Sequence, residues 1–183
     1  MKILVAYASR HGATQGIAER IAHTLKEESF DVTLRPVGQA GPVDGYDAFI
    51  IGSAAYYGRW LKEATRFVRR EHETLAGRPV WLFSSGPVGS TPTGGKDPVK
   101  EAEPKEFAEF ERDLPTRDQR VFYGAWDPDL TPGGVLERLT RLLPAVRDAL
   151  PAGDFRDWPA IEAWAHGIAR ELNRARDLEL SHA

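Results

Sequence analysis

The chain opens on an apolar run, Ile3-Leu4-Val5-Ala6-Tyr7, that stops at Ser9-Arg10-His11-Gly12-Ala13-Thr14 and passes into the spacing Ile17, Ala18, Ile21, Ala22, Leu25. An unbroken apolar run fits a strand covered on both faces, and the later spacing fits one face of a helix. The same alternation continues along the chain. Strands are predicted near 2–8, 31–36, 47–53, 79–84 and 119–125, and helices near 14–28, 61–75, 101–112, 133–149 and 158–174. The second crossover is reduced to the glycine-rich loop Gly38 to Gly45. Ala48-Phe49-Ile50-Ile51-Gly52 and Val80-Trp81-Leu82-Phe83 read as interior strands. The pattern predicts an α/β fold, a doubly wound five-stranded parallel sheet with helices on both faces.

In such sheets ligands sit beyond the carboxyl ends of the strands where strand order reverses, between strands one and three for the order 2-1-3-4-5. Three loops share that edge: Ser9–Thr14, Gly52–Trp60 and Ser84–Gly95. The first is a candidate phosphate site. A helix start presents free N–H groups and a positive dipole end, Ser9 and Thr14 add hydroxyls, and Gly12 allows close backbone approach. A ligand-free reading stands beside it, in which Thr14 caps the helix and Gly12 turns the chain. The second loop places Tyr56, Tyr57 and Trp60 where aromatic faces either stack on a flat ring or pack beneath the loop. The third, Ser84-Ser85-Gly86-Pro87-Val88-Gly89-Ser90, offers backbone donors and acceptors to a ring edge. Two phosphate motifs are excluded. The first turn lacks the three glycines of a dinucleotide fingerprint, and Gly94-Gly95-Lys96-Asp97 lacks the hydroxyl of an NTPase loop.

Composition narrows the chemistry. The absence of cysteine removes disulfides, thiolate nucleophiles and iron–sulfur or zinc-thiolate sites, so redox chemistry would need a bound cofactor. The five histidines are scattered without metal-site spacing, and no metal is expected. A net charge of −3 without a basic stripe argues against nucleic acid as partner. No apolar run reaches the roughly 20 residues of a membrane span, and the amino terminus enters a strand directly. The expectation is a cytoplasmic protein with one domain over 1–175 and a tail over 176–183.

With these residues in place, the chain resembles the flavodoxin superfamily, and within it the bacterial flavodoxin-like protoporphyrinogen oxidases that pass electrons to menaquinone. The resemblance rests on Ile3 to Thr14, on Gly52-Ser53-Ala54-Ala55-Tyr56-Tyr57-Gly58-Arg59-Trp60, on Phe122-Tyr123-Gly124-Ala125 and on Asp157-Trp158-Pro159-Ala160-Ile161. It implies strand order 2-1-3-4-5 and flavin mononucleotide (FMN) as cofactor. Ser9, Arg10, His11, Gly12, Ala13 and Thr14 would hold the phosphate. Ala55, Tyr56 and Tyr57, with Ser85, Gly86, Pro87 and Val88, would flank the isoalloxazine ring. The segment Thr91 to Asp118 departs from the oxidase: it is rich in glycine and proline and then acidic, where a basic stretch is expected.

The expected activity is an FMN-dependent oxidoreductase passing electrons from a small-molecule donor, protoporphyrinogen among them, to a quinone-type acceptor. Arg10, Arg59 and Lys62 lie near the proposed ring, where cations raise the potential of a ring that gains negative charge on reduction. The stripe Val135, Leu136, Leu139, Leu142, Leu143, Val146, Leu150 fits either a face covering the sheet or peripheral membrane contact. The alternative is a flavodoxin-type electron carrier with a protein redox partner. A phosphorylated receiver module is disfavoured, since Ala8-Ser9-Arg10 and Gly52-Ser53 hold no carboxylate.

Overall fold

The computed structural model describes residues 1–88, 98–127 and 152–181. Its frame is a parallel sheet in which β1 (Lys2–Ala8) lies between β2 (Asp31–Pro36) and β3 (Ala48–Tyr56), followed by β5 (Val80–Ser85) and β6 (Thr116–Phe122). The two-residue β4 (Arg59–Trp60) turns back on β3 in an antiparallel hairpin. Counted without that hairpin, the main strands follow the predicted order 2-1-3-4-5.

Period-two alternation divides the sheet between two cores. Ile3, Val5 and Tyr7 of β1 face α1 (Ala13–Glu27) and the closing helix α6 (Trp158–Ser181), meeting Ile17, Ile21, Leu25, Ile161 and Ile168. Leu4 and Ala6 face the opposite side, which is covered by α2 (Lys62–Arg70), α3 (His72–Ala76) and α5 (Lys105–Asp113). Val37, Ala40 and Val43 bury the β2–β3 connection against that second core. The reduced crossover therefore seals the sheet without an α-helix.

Several boundaries move from their predicted places. The helix expected at 61–75 bends at Glu71, while the bonds Glu71 N–H to Phe67 O and Leu75 N–H to Glu71 O carry the chain through. The helix expected at 101–112 splits into α4 (Pro98–Glu101) and α5, because Pro104 has no N–H and disfavours helix in the residue before it. The last main strand starts at Thr116 rather than 119 and ends at Phe122. Ala125–Trp126 instead forms β7, antiparallel to β8 (Gly153–Asp154). The strand expected at 47–53 runs on to Tyr56 to enter the hairpin. The apolar stripe of α6 ends at Leu172, yet the helix continues to Ser181 through the helix-forming sequence Arg174 to Leu180. Residues 176–181, expected as a tail, are thus part of α6. The predicted 133–149 helix lies outside the described residues.

Candidate functional site

The parallel strands β1, β3 and β5 end side by side, so the loops after them meet at one edge of the sheet. After β1, Gly12 takes a left-handed backbone (φ 85°) and caps the start of α1. A Cβ there would meet nothing within 4 Å, so the requirement is conformational rather than steric. The Gly12 N–H donates to Ser9 Oγ at 3.1 Å, and the Gly16 N–H donates to Gly12 O at 2.9 Å. No side chain caps α1. The expectation that Thr14 serves as the cap is therefore corrected: Thr14 lies inside the helix, fully buried, with Oγ1 2.6 Å from Ser85 Oγ. That hydroxyl pair joins the first turn of α1 to the end of β5.

After β3 the chain makes a two-residue hairpin. Tyr56 pairs with Arg59 across the intervening Tyr57 (φ 52°) and Gly58 (φ 68°), the two positive φ values that a type I′ turn demands. A tyrosine at the first turn position is held in a region that side chains rarely adopt. Its ring is 96% exposed at the hairpin tip. Tyr56 is half-buried, with the Arg10 guanidinium 5.0 Å from its ring centroid, and Ala55 packs against the second core. Trp60 belongs to the interior, edge-on to Phe107 and Phe110. Buried Ser53 supports the hairpin by accepting the Leu61 N–H at 3.1 Å. Glu106, 5% exposed, supports it from α5 by accepting the Trp60 N–H at 3.1 Å.

After β5, two backbone groups expected to be open are used internally. The Gly86 N–H donates to Phe122 O at 3.0 Å, and Pro87 O accepts the Gly124 N–H at 2.9 Å. Val88 approaches Gly124, where a Cβ would lie 3.6 Å from its Cγ1. The Ser85–Val88 loop is thereby fastened to the end of β6. Its remaining residues, 89–95, lie outside the described ones.

A cavity of about 650 Å³ opens at the start of α1, lined by His11, Gly12, Ala13, Trp126, Asp154 and Arg156. His11 and Trp126 meet edge to face at 6.1 Å between centroids. Arg156 was not among the sequence candidates. It grips Asp154 with two 2.7 Å bonds, donates to Ala13 O at 3.4 Å and stands 4.4 Å from the Trp158 ring centroid. Hydrogen bonding by Arg156 holds the Asp154 carboxyl below the usual carboxylate range. A Cβ on Gly16 would come within 2.4 Å of Arg156 Nη1, so this glycine makes room for the guanidinium. Among the described residues, no group of three or more His, Asp or Glu side chains is placed to hold a metal.

The structure thus brings Ser9 to Thr14, Ala55 to Tyr57 and Ser85 to Val88 to one edge, with Thr14 joined to Ser85 through their hydroxyls and Arg10 set over the Tyr56 ring. Residues 4–130 match the family model described as a flavodoxin domain. Over 94% of this chain and 99% of the other, the fold is similar to that of a flavodoxin from the domain Archaea, with 16% identity and a TM-score of 0.58. The oxidised flavodoxin 2 of Bacillus cereus is 26% identical over 82% of this chain and its own full length, with a TM-score of 0.50. Rubredoxin oxygen:oxidoreductase from Desulfovibrio gigas aligns with 94% of this chain at 15% identity and a TM-score of 0.60, but over only 36% of its own length. With the family match, the strand order and the three convergent loops in agreement, the chain belongs to the flavodoxin domain family.

Proposed function

We propose that the chain binds FMN and works as a flavin-dependent oxidoreductase. The observation that carries this is the Gly12-started helix, locked to β5 by the Thr14–Ser85 hydroxyl pair, beside a cavity large enough for a ligand. The residues present fit the cofactor. The unsatisfied N–H groups at the start of α1 suit a terminal phosphate, and Ser9 holds the loop in shape by accepting the Gly12 N–H. The exposed ring of Tyr57 offers an aromatic face to the isoalloxazine, and half-buried Tyr56 stands beside it in sequence. Ser85, Gly86, Pro87 and Val88 would border the ring from the other loop. Arg10, His11 and Ala13 complete the phosphate turn.

When bound, the flavin supplies the electron-accepting and electron-donating chemistry. The protein's part is to hold the phosphate, to cover part of the ring and to set its potential. Arg10, Arg59 and Lys62 stand around Tyr56, and cations there favour a ring carrying more negative charge, which raises its potential. That favours a quinone-type acceptor over strongly reducing transfer, with a small-molecule donor such as protoporphyrinogen. No described helix is long and apolar enough to cross a membrane.

Likeness to flavodoxins over nearly whole chains supports a second reading, an electron carrier that meets a protein partner. Steady-state assays with a menaquinone analogue and with protoporphyrinogen separate the two. Turnover of the quinone supports the oxidoreductase. Rapid reduction by a reductase, with no turnover of either compound, supports the carrier and refutes the quinone assignment.

A further inference from the structure

A second cavity, of about 750 Å³, lies on the α2 side of the hairpin and shares Ser9, Arg10 and Tyr56 with the loops described above. Its charged lining comes from three elements: Arg10 from the turn after β1, Arg59 from β4, and Lys62, Glu63 and Arg66 from α2. Four cations thus face one carboxylate, in a chain whose net charge is −3. Among the described residues, Arg10, Lys62 and Arg66 make no ion pair, and Arg59 has only Glu106, at 3.8 Å from beneath. Arg10 is kept over the Tyr56 ring by a cation–π contact instead. Lys62 and Glu63 are also the first residues of α2, a helix with no side-chain cap, so its open N–H groups and positive dipole end add to the same field. Trp60, which also lines the cavity, is 4% exposed, and its indole N–H has no partner among the described residues.

Like charges gathered from separate elements repel one another, and a bound anion would relieve that repulsion. We propose that this cavity binds a small organic polyanion carrying carboxylate or phosphate groups. Its volume is that of a small-molecule site rather than of a protein interface. Set against the hairpin that carries Tyr56 and Tyr57, the site selects an anionic electron donor or acceptor. That role rests on the flavin reading, while the binding site itself does not.

The test follows the Trp60 indole and the Lys62 and Glu63 backbone amides by ¹H–¹⁵N NMR during titration with citrate, with inorganic pyrophosphate, and with sodium chloride at matched ionic strength. Saturable shifts at these three positions with either anion, absent with chloride, are the expected result, and the tighter of the two anions identifies carboxylate or phosphate as the preferred group. The exposed pair K62Q/R66Q should weaken binding by about tenfold, since it removes two of the four cations that face the cavity. Shifts no larger than those with chloride, or binding unchanged in K62Q/R66Q, would overturn the proposal. FMN titration of the same samples reports on the flavin reading separately: failure to bind FMN beside intact citrate or pyrophosphate shifts would sink the flavin reading alone.

Discussion

Replacing Thr14 by Val removes one hydroxyl while keeping the shape of the side chain. Thr14 Oγ1 and Ser85 Oγ are 2.6 Å apart, and both residues are buried, at 0% and 6% exposure. The single variant leaves the Ser85 hydroxyl without its partner, which costs about 1–3 kcal/mol. For a chain of this size that lowers the melting temperature by about 2–12 °C. Ser85→Ala should cost a similar amount, because it strands Thr14 instead. The double variant removes both polar groups and should recover most of the loss, as replacement of both partners is close to neutral. Urea denaturation of the apoprotein supplies the stabilities for the double-mutant cycle. Two single-variant losses that add within about 0.5 kcal/mol would show that the pair is not coupled, and would refute the bridge between α1 and β5.

Gly52→Ala should destabilise by about 1–3 kcal/mol or more, because its Cβ would sit 2.0 Å from the buried Phe83 ring; chemical denaturation measures the loss, and Phe83→Leu in the same chain should restore part of it. Glu106→Ala strips the acceptor from the Trp60 N–H and should cost about 1–3 kcal/mol, whereas Glu106→Gln keeps a carbonyl there and should cost less. The depressed carboxyl of Asp154 stabilises the fold above the ordinary carboxylate range, and that contribution is lost as pH falls through its lower folded value. Urea midpoints measured from pH 7 downward should therefore decline below about pH 4, and Asp154→Asn should flatten this part of the profile.

The interior strands were legible because β1, β3 and β5 are apolar on both faces, which only a covered parallel sheet requires. β6 begins at Thr116, before its predicted start, because it lies at the sheet edge, where Arg117, Asp118, Gln119 and Arg120 break the apolar run that marks an interior strand. The end of α6 was misplaced because burial stops before helix propensity does. At the candidate site, the glycine turn and the exposed tyrosine are local features and could be read from neighbouring residues. The contacts that lock the site are not local. Thr14 and Ser85 are separated by 71 positions, and Arg156 and Ala13 by 143, so no periodicity reports them. Gly16 was the one available signal for Arg156, a glycine inside a helical pattern where alanine would be favoured. Glu106 had no signal, since a carboxylate in an amphipathic helix ordinarily faces water.

The central claim is that the start of α1 receives the phosphate of FMN. Isothermal calorimetry of the apoprotein with FMN, riboflavin and flavin adenine dinucleotide tests it directly, because riboflavin shares the ring but has no phosphate. FMN should bind in a single saturable transition and more tightly than either comparator. Failure to bind FMN, or equal affinity for FMN and riboflavin, would contradict the assignment.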